Sequence, residues 1–156
     1  MRIGKLVVLP ILISLVGVAH ASNYDLSEIP QAIPAPDAAK LKSVGVTTTF
    51  ALLEKGGEAP ARKTLAKQTR IAEKTLEAWI QMADLLRVKG IGPDVARLLA
   101  AAGVKTVSML KSADATALND EIGKVNSKQH LSENPPSKEH LEAWIKQAQT
   151  LPIVLK

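Results

Sequence analysis

One short stretch concentrates the residues able to do chemistry, and that chemistry belongs to the backbone. Val88-Lys89-Gly90-Ile91-Gly92-Pro93 places two glycines in a turn that side chains would block. The residues after it, Asp94 to Ala102, read as a helix. A glycine turn at a helix start presents main-chain N–H groups beside the positive end of the helix dipole, where an anion is stabilised. Lys89 in the turn and Arg97 in the helix add positive charge. A nucleic-acid phosphate fits such a place without any base being read. Lys89, Gly90, Gly92 and Arg97 are therefore the candidate phosphate-binding residues.

Other chemistry finds little support. The chain has no cysteine, which excludes disulfides, thiolate metal sites and a cysteine nucleophile. His130 and His140 lie on either side of Pro135-Pro136, off any shared helical face and without a fixed third ligand. They are expected to be loop and cap residues. Asp84, Asp94 and Asp120 have no partner that spacing brings within reach. No glycine-rich loop carries a phosphate-binding lysine, and no serine sits in a nucleophile elbow. No catalytic residue, metal or cofactor is expected. Aromatic residues make up 3% of the chain, too few for a single-strand stacking surface.

The elements that must position the turn read as helices. Leu76, Trp79, Ile80, Ala83 and Leu86 form one helical stripe, and Leu141, Trp144, Ile145, Ala148 and Leu151 repeat it. Both tryptophans sit on the apolar face and belong to the core. Gly45 and Gly103 suit the position just past a helix end, where positive φ is needed. Thr48 and Thr106, three residues on, suit the next N-cap. Ser137 is a further N-cap, and Pro152 stands where the last helix should stop. No run after residue 21 alternates as a strand does. The expected fold is all-α.

The same elements occur twice. At an offset of 58, Ile33–Leu53 matches Ile91–Lys111, including Leu41/Leu99, Gly45/Gly103 and Thr48/Thr106. At an offset of 65, the pentapeptide LEAWI recurs in full. The second copy thus carries a net insertion of seven residues, expected in the polar stretch Asn126–Ser137. The first copy has Ala32-Ile33-Pro34 where the second has Gly90-Ile91-Gly92. Proline has no N–H to give and alanine resists positive φ, so the first turn can keep a structural role while losing an anion site.

The N-terminus reads as an address. Arg2 and Lys5 precede a 13-residue apolar run, Leu6–Val18, and then Ala19-His20-Ala21. That is the pattern of a secretory signal peptide cleaved after Ala21, and the run is short for a bilayer span of about 20 residues. Loss of Arg2 and Lys5 lowers the net charge from +5 to +3. The basic residues Arg62, Lys63, Lys67 and Arg70 are expected to be the solvated face of one helix.

The pattern from Val88 to Leu110 resembles a helix-hairpin-helix motif. The stretches VGVTTTFALLEKG, ADLLRVKGIGPDVARLLAAAGVKTV and the two LEAWI helices, over about Ile29 to Pro152, resemble an uncharacterised bacterial family of domains of unknown function built on tandem helix-hairpin-helix units. The resemblance implies an all-helical fold and a helix-hairpin-helix core, and carries no activity, substrate or catalytic residue. The expected organisation is a signal peptide (1–21), a flexible mature N-terminus (22–28) and one compact domain of two duplicated helical halves (29–87 and 88–152). The expected function is a non-catalytic binding or scaffold module, periplasmic or secreted, with no membrane anchor after cleavage. An envelope protein is favoured as partner. The alternative is sequence-independent binding of a duplex DNA backbone through residues 88–93, and an enzyme is the distant third.

Overall fold

The structure is a computed structural model that describes residues 22–155; the signal-peptide reading falls on residues outside these. A 3-10 turn, Leu26–Glu28, leads into eight helices: α1 (Ala35–Ser43), α2 (Thr49–Gly56), α3 (Ala59–Thr69), α4 (Glu73–Leu85), α5 (Pro93–Ala101), α6 (Val107–Lys111), α7 (Ala115–Gln129) and α8 (Lys138–Thr150). Among the described residues there is no strand, and the helices form a single all-α domain around one apolar core. No helix among them is long and apolar enough to cross a membrane.

The helix punctuation follows from the residues at the ends. Thr48 accepts a hydrogen bond from the Ala51 amide, and Thr106 does the same for Met109. Gly45 and Gly103 both take positive φ, 77° and 94°, just past α1 and α5. Ser137 accepts from the His140 amide at the start of α8, and the His140 ring returns to the Ser137 amide in a capping box. His130 is the exposed C-cap of α7, so both histidines are the loop and cap residues expected.

Part of the packing is parallel along the chain, although α2 also packs on α3 and α6 has no comparable contact with α7. α1 packs on α3, α2 on α4 and α3 on α4; likewise α5 packs on α7, α6 on α8 and α7 on α8. Ile33 and Ile91 are both buried immediately before α1 and α5, and Leu41, Leu52, Leu99 and Leu110 are fully buried. Trp79 and Trp144 lie in the core at 9% and 8% exposure. The later helices also differ in length: α7 has 15 residues against 11 in α3, and loop 130–137 connects α7 to α8 where residues 70–72 connect α3 to α4.

Residues 22–28, expected to be flexible, are tied down. Leu26 is buried, its amide donates to the Thr47 carbonyl, and the Thr49 amide donates to the Tyr24 carbonyl. Backbone pairing with the start of α2 therefore orders this segment. The Ser27 hydroxyl and amide both donate to Asp25 and hold its carboxyl below the usual carboxylate range.

α4 is buried on most of its circumference, and its C-terminal end, with Asp84 in the last turn and Arg87 just beyond, carries the only buried ion pair among the described residues. Arg87 Nη1 donates to Asp84 Oδ1 at 2.6 Å, and both side chains are nearly inaccessible. Asp84 Oδ2 accepts the Val107 amide at the start of α6 (2.8 Å), and Arg87 Nη2 donates to the Pro152 carbonyl just past α8 (2.8 Å). The reading that spacing leaves Asp84 without a partner is thus corrected: three residues along a helix is a neighbouring position, and Arg87 occupies it. The same correction applies to Asp94, which faces Arg97 at 3.8 Å.

Removing one member of a buried pair strands the other charge in the core. Arg87→Met is expected to lower stability by about 3 kcal/mol in urea denaturation. The double variant Asp84→Asn, Arg87→Met should cost less than the two single changes summed. Additive effects would show that the pair carries no coupling.

Candidate functional site

The turn between α4 and α5 is built by local hydrogen bonds. After Leu85 the chain closes through Arg87 N–H to Asp84 O, Val88 N–H to Leu85 O and Ile91 N–H to Val88 O. Val88 and Ile91 are buried and pin the turn to the core, while Lys89 and Gly90 face solvent. Gly90 has φ of 97°, and a Cβ there would stand 3.0 Å from Trp144 Nε1. Gly92 is different. Its φ of −92° and ψ of 174° are extended backbone open to any residue, and a Cβ would meet nothing nearer than Tyr24 Oη at 3.9 Å. Only one of the two glycines is conformationally required.

The four candidate residues do not converge on one point. Lys89 uses its amide on Gln147 Oε1 of α8 (2.5 Å), leaving only its exposed side chain for a ligand. Gly90 is spent on turn geometry and on the close approach of Trp144. Gly92 is the N-cap of α5 and has no side-chain cap. Among the described residues the amides of Gly92, Asp94 and Val95 have no hydrogen-bond partner. Arg97 turns back along α5 toward Asp94.

The surroundings of those amides decide what they suit. They border a groove closed on its far side by loop 130–134, which contributes His130 and Glu133. Asp94 and Glu133 are exposed carboxylates on the same groove. A phosphate would meet two negative charges there, against one arginine already facing Asp94. The turn before α1 offers fewer free amides. Pro34 and Pro36 lack N–H groups, the Asp37 amide donates to Pro34 O, and the Ala32 amide donates to Ile29 O.

A second surface lies where no motif pointed. Met109, Ile153 and Val154 are the exposed large hydrophobic residues among those described, at 46%, 52% and 42%. After Leu151 the chain leaves α8 extended. Ile153 and Leu155 then border a cleft shared with Met109 and Ile80, while Val154 borders another with Phe50 and Leu53. The tail is held by the Arg87 bond to Pro152 and by Leu155 against the position of Gly57. In sequence the signal is slight: a proline that stops a helix, followed by Ile-Val-Leu.

A family model described as a domain of unknown function (DUF4332) matches residues 31–151. The chain belongs to this family. No curated protein and no solved structure matches it.

The α4–α5 turn lies inside the stretch that matches the DUF4332 model, and the extended tail from Pro152 lies just past it. Among the described residues of this DUF4332 chain, no group of three or more histidine or acidic side chains could hold a metal ion. The features that stand out in it are a buried ion pair, a turn with a few free amides and an apolar surface at the tail.

The geometry separates the two glycines. Gly90→Ala forces a side chain into positive φ and against Trp144, and is expected to cost about 1–2 kcal/mol with a shift in tryptophan emission. Gly92→Ala is expected to be close to neutral in the same thermal melts. Equal losses for both would contradict the assigned roles.

Proposed function

We propose that this chain is an exported, non-catalytic helical interaction module that docks a partner protein through the surface at its C-terminal tail. In this reading α4, the Gly90 turn and α5 form a helix-hairpin-helix joint that sets the angle between two duplicated halves. The carrying observation is the grouping of the exposed large apolar residues: Ile153 and Met109 border one cleft, and Val154 borders the next. Apolar side chains left in water on a well-buried domain are stabilised when a partner covers them.

Export is supported by the pattern of residues 1–21, in which Arg2 and Lys5 precede an apolar run and Ala19-His20-Ala21. The reading as a DNA-backbone binder is supported by the free amides of Gly92, Asp94 and Val95, and opposed by Asp94 and Glu133 on the same groove. With a net charge of +3 after loss of Arg2 and Lys5, and fewer free amides at the turn before α1, the protein-docking reading is the stronger.

A photo-crosslinking residue at Ile153 is expected to give a discrete protein adduct in cell-envelope fractions, and the same residue at Lys124, on the exposed face of α7, none. Absence of an adduct at Ile153, or equal adducts at both positions, counts against the docking reading. The protein recovered from those fractions should begin at Ser22 by intact mass; a chain retaining Met1 would remove the export reading. Duplex DNA should not be retarded even at about 20 mM salt, where phosphate contacts are strongest. A shift abolished by Gly92→Pro would instead favour the DNA reading.

A further inference from the structure

From the charges that border the tail surface, we infer that its partner is a cationic–aliphatic segment: a peptide or helix face presenting lysine or arginine beside aliphatic side chains. This rests on the docking reading above and adds the chemical class of what docks.

Three features of the surface point the same way. The first is apolar. Val154, Leu53 and Phe50 border a cleft of about 310 Å³, large enough for a long side chain, and Ile153 and Met109 extend the apolar strip past the tail. The second is charge. Glu54 and Glu58 stand on that same cleft and Glu77 on the neighbouring one, all three exposed. None of the three forms an ion pair with another described residue. The two arginines that line these clefts are already engaged. Arg62 is turned to the carbonyls of Gly56 and Gly57 and lies 3.9 Å from Glu73, and Arg87 is closed onto Asp84 and Pro152. The rim is therefore negative on a domain whose overall balance is positive, which selects a positive partner and repels an acidic one.

The third feature is a donor. Arg87 also borders the cleft with Glu54 and Glu58, its side chain is 4% exposed, and its Nε has no hydrogen-bond partner. A buried N–H without an acceptor costs free energy, and this one lies on the wall of the cleft that the partner would fill. Apolar wall, acidic rim and an unsatisfied donor behind them suit a main chain that carries aliphatic side chains and ends its longer ones in positive charge. Lysine and arginine fit because their methylene stems cover apolar surface while the head reaches the carboxylates.

The test uses three fluorescein-labelled peptides of equal length, alternating leucine with lysine, with serine or with glutamate. Each is titrated by anisotropy against the protein expressed from its full sequence. The leucine–lysine peptide is expected to bind at least about tenfold more tightly than the leucine–serine one, with the leucine–glutamate peptide weakest. Its affinity should fall as salt rises. Glu54→Lys with Glu58→Lys should reverse the order of the lysine and glutamate peptides. Val154→Asp should weaken the leucine–lysine peptide by about tenfold or more. All three positions are exposed, and unchanged thermal melts will show that the variants fold. Equal binding of the three peptides, lost in Val154→Asp, would overturn the cationic preference and leave the docking surface standing. Binding that ignores both sets of substitutions, or no binding at all, would overturn the inference, while the adduct at Ile153 decides the docking reading separately.

Discussion

The pair of Asp84 and Arg87 holds three separate parts of the chain to one point. Asp84 sits in the last turn of α4 and Arg87 just past its end, and through them the end of that helix meets the first amide of α6 and the carbonyl that follows α8. A charge in this position has a large desolvation cost, and it is tolerated only because each carboxylate oxygen and both terminal guanidinium nitrogens have a partner. An apolar pair of the same volume would fill the space as well. It would not fix where the α6 amide and the tail carbonyl must lie. The ion pair therefore contributes position more than net stability, and the remaining unsatisfied Nε marks where that arrangement falls short.

The start of α2 shows how the same need is met without charge. Its first amide, on Thr49, donates to the Tyr24 carbonyl, in a segment that runs beside the Thr48 backbone as an isolated bridge. At the start of α6 that place is taken by the end of α4, and the Asp84 carboxylate accepts the Val107 amide instead. Two helices with the same Thr cap thus meet their neighbours by different means. The difference explains why residues 22–28 are ordered, since α2 depends on them.

The α4–α5 turn shows how neighbouring charge limits what free amides can bind. Its free amides exist, but a macrodipole attracts an anion only where no carboxylate competes, and Asp94 and Glu133 stand on the groove. Glu133 arrives on loop 130–137, which connects α7 to α8. The tail surface has the opposite character. Nothing in its sequence resembles a motif, and its chemistry comes from residues of α2, α4, α6 and the chain after α8 that meet only in the folded molecule.

The sequence alone determined the helical class, the capping residues, the core stripes of α4 and α8 and the positive-φ glycines. Each of these depends on a period of 3.6 residues or on neighbours within about four positions. Thr48, Thr106, Ser137, Gly45 and Gly103 were legible because a cap is satisfied by the residue type and its own turn. Arg87 beside Asp84 was legible by the same rule, although its burial was not. Tertiary structure decided the rest. Gly90 is fixed by Trp144, a contact across the fold, while Gly92 is free to vary. Lys89 loses its amide to Gln147. The acidic groove at α5 and the acidic rim around Val154 are sums over residues far apart in the chain, and electrostatic character of that kind is set by distance in space, which no local spacing encodes.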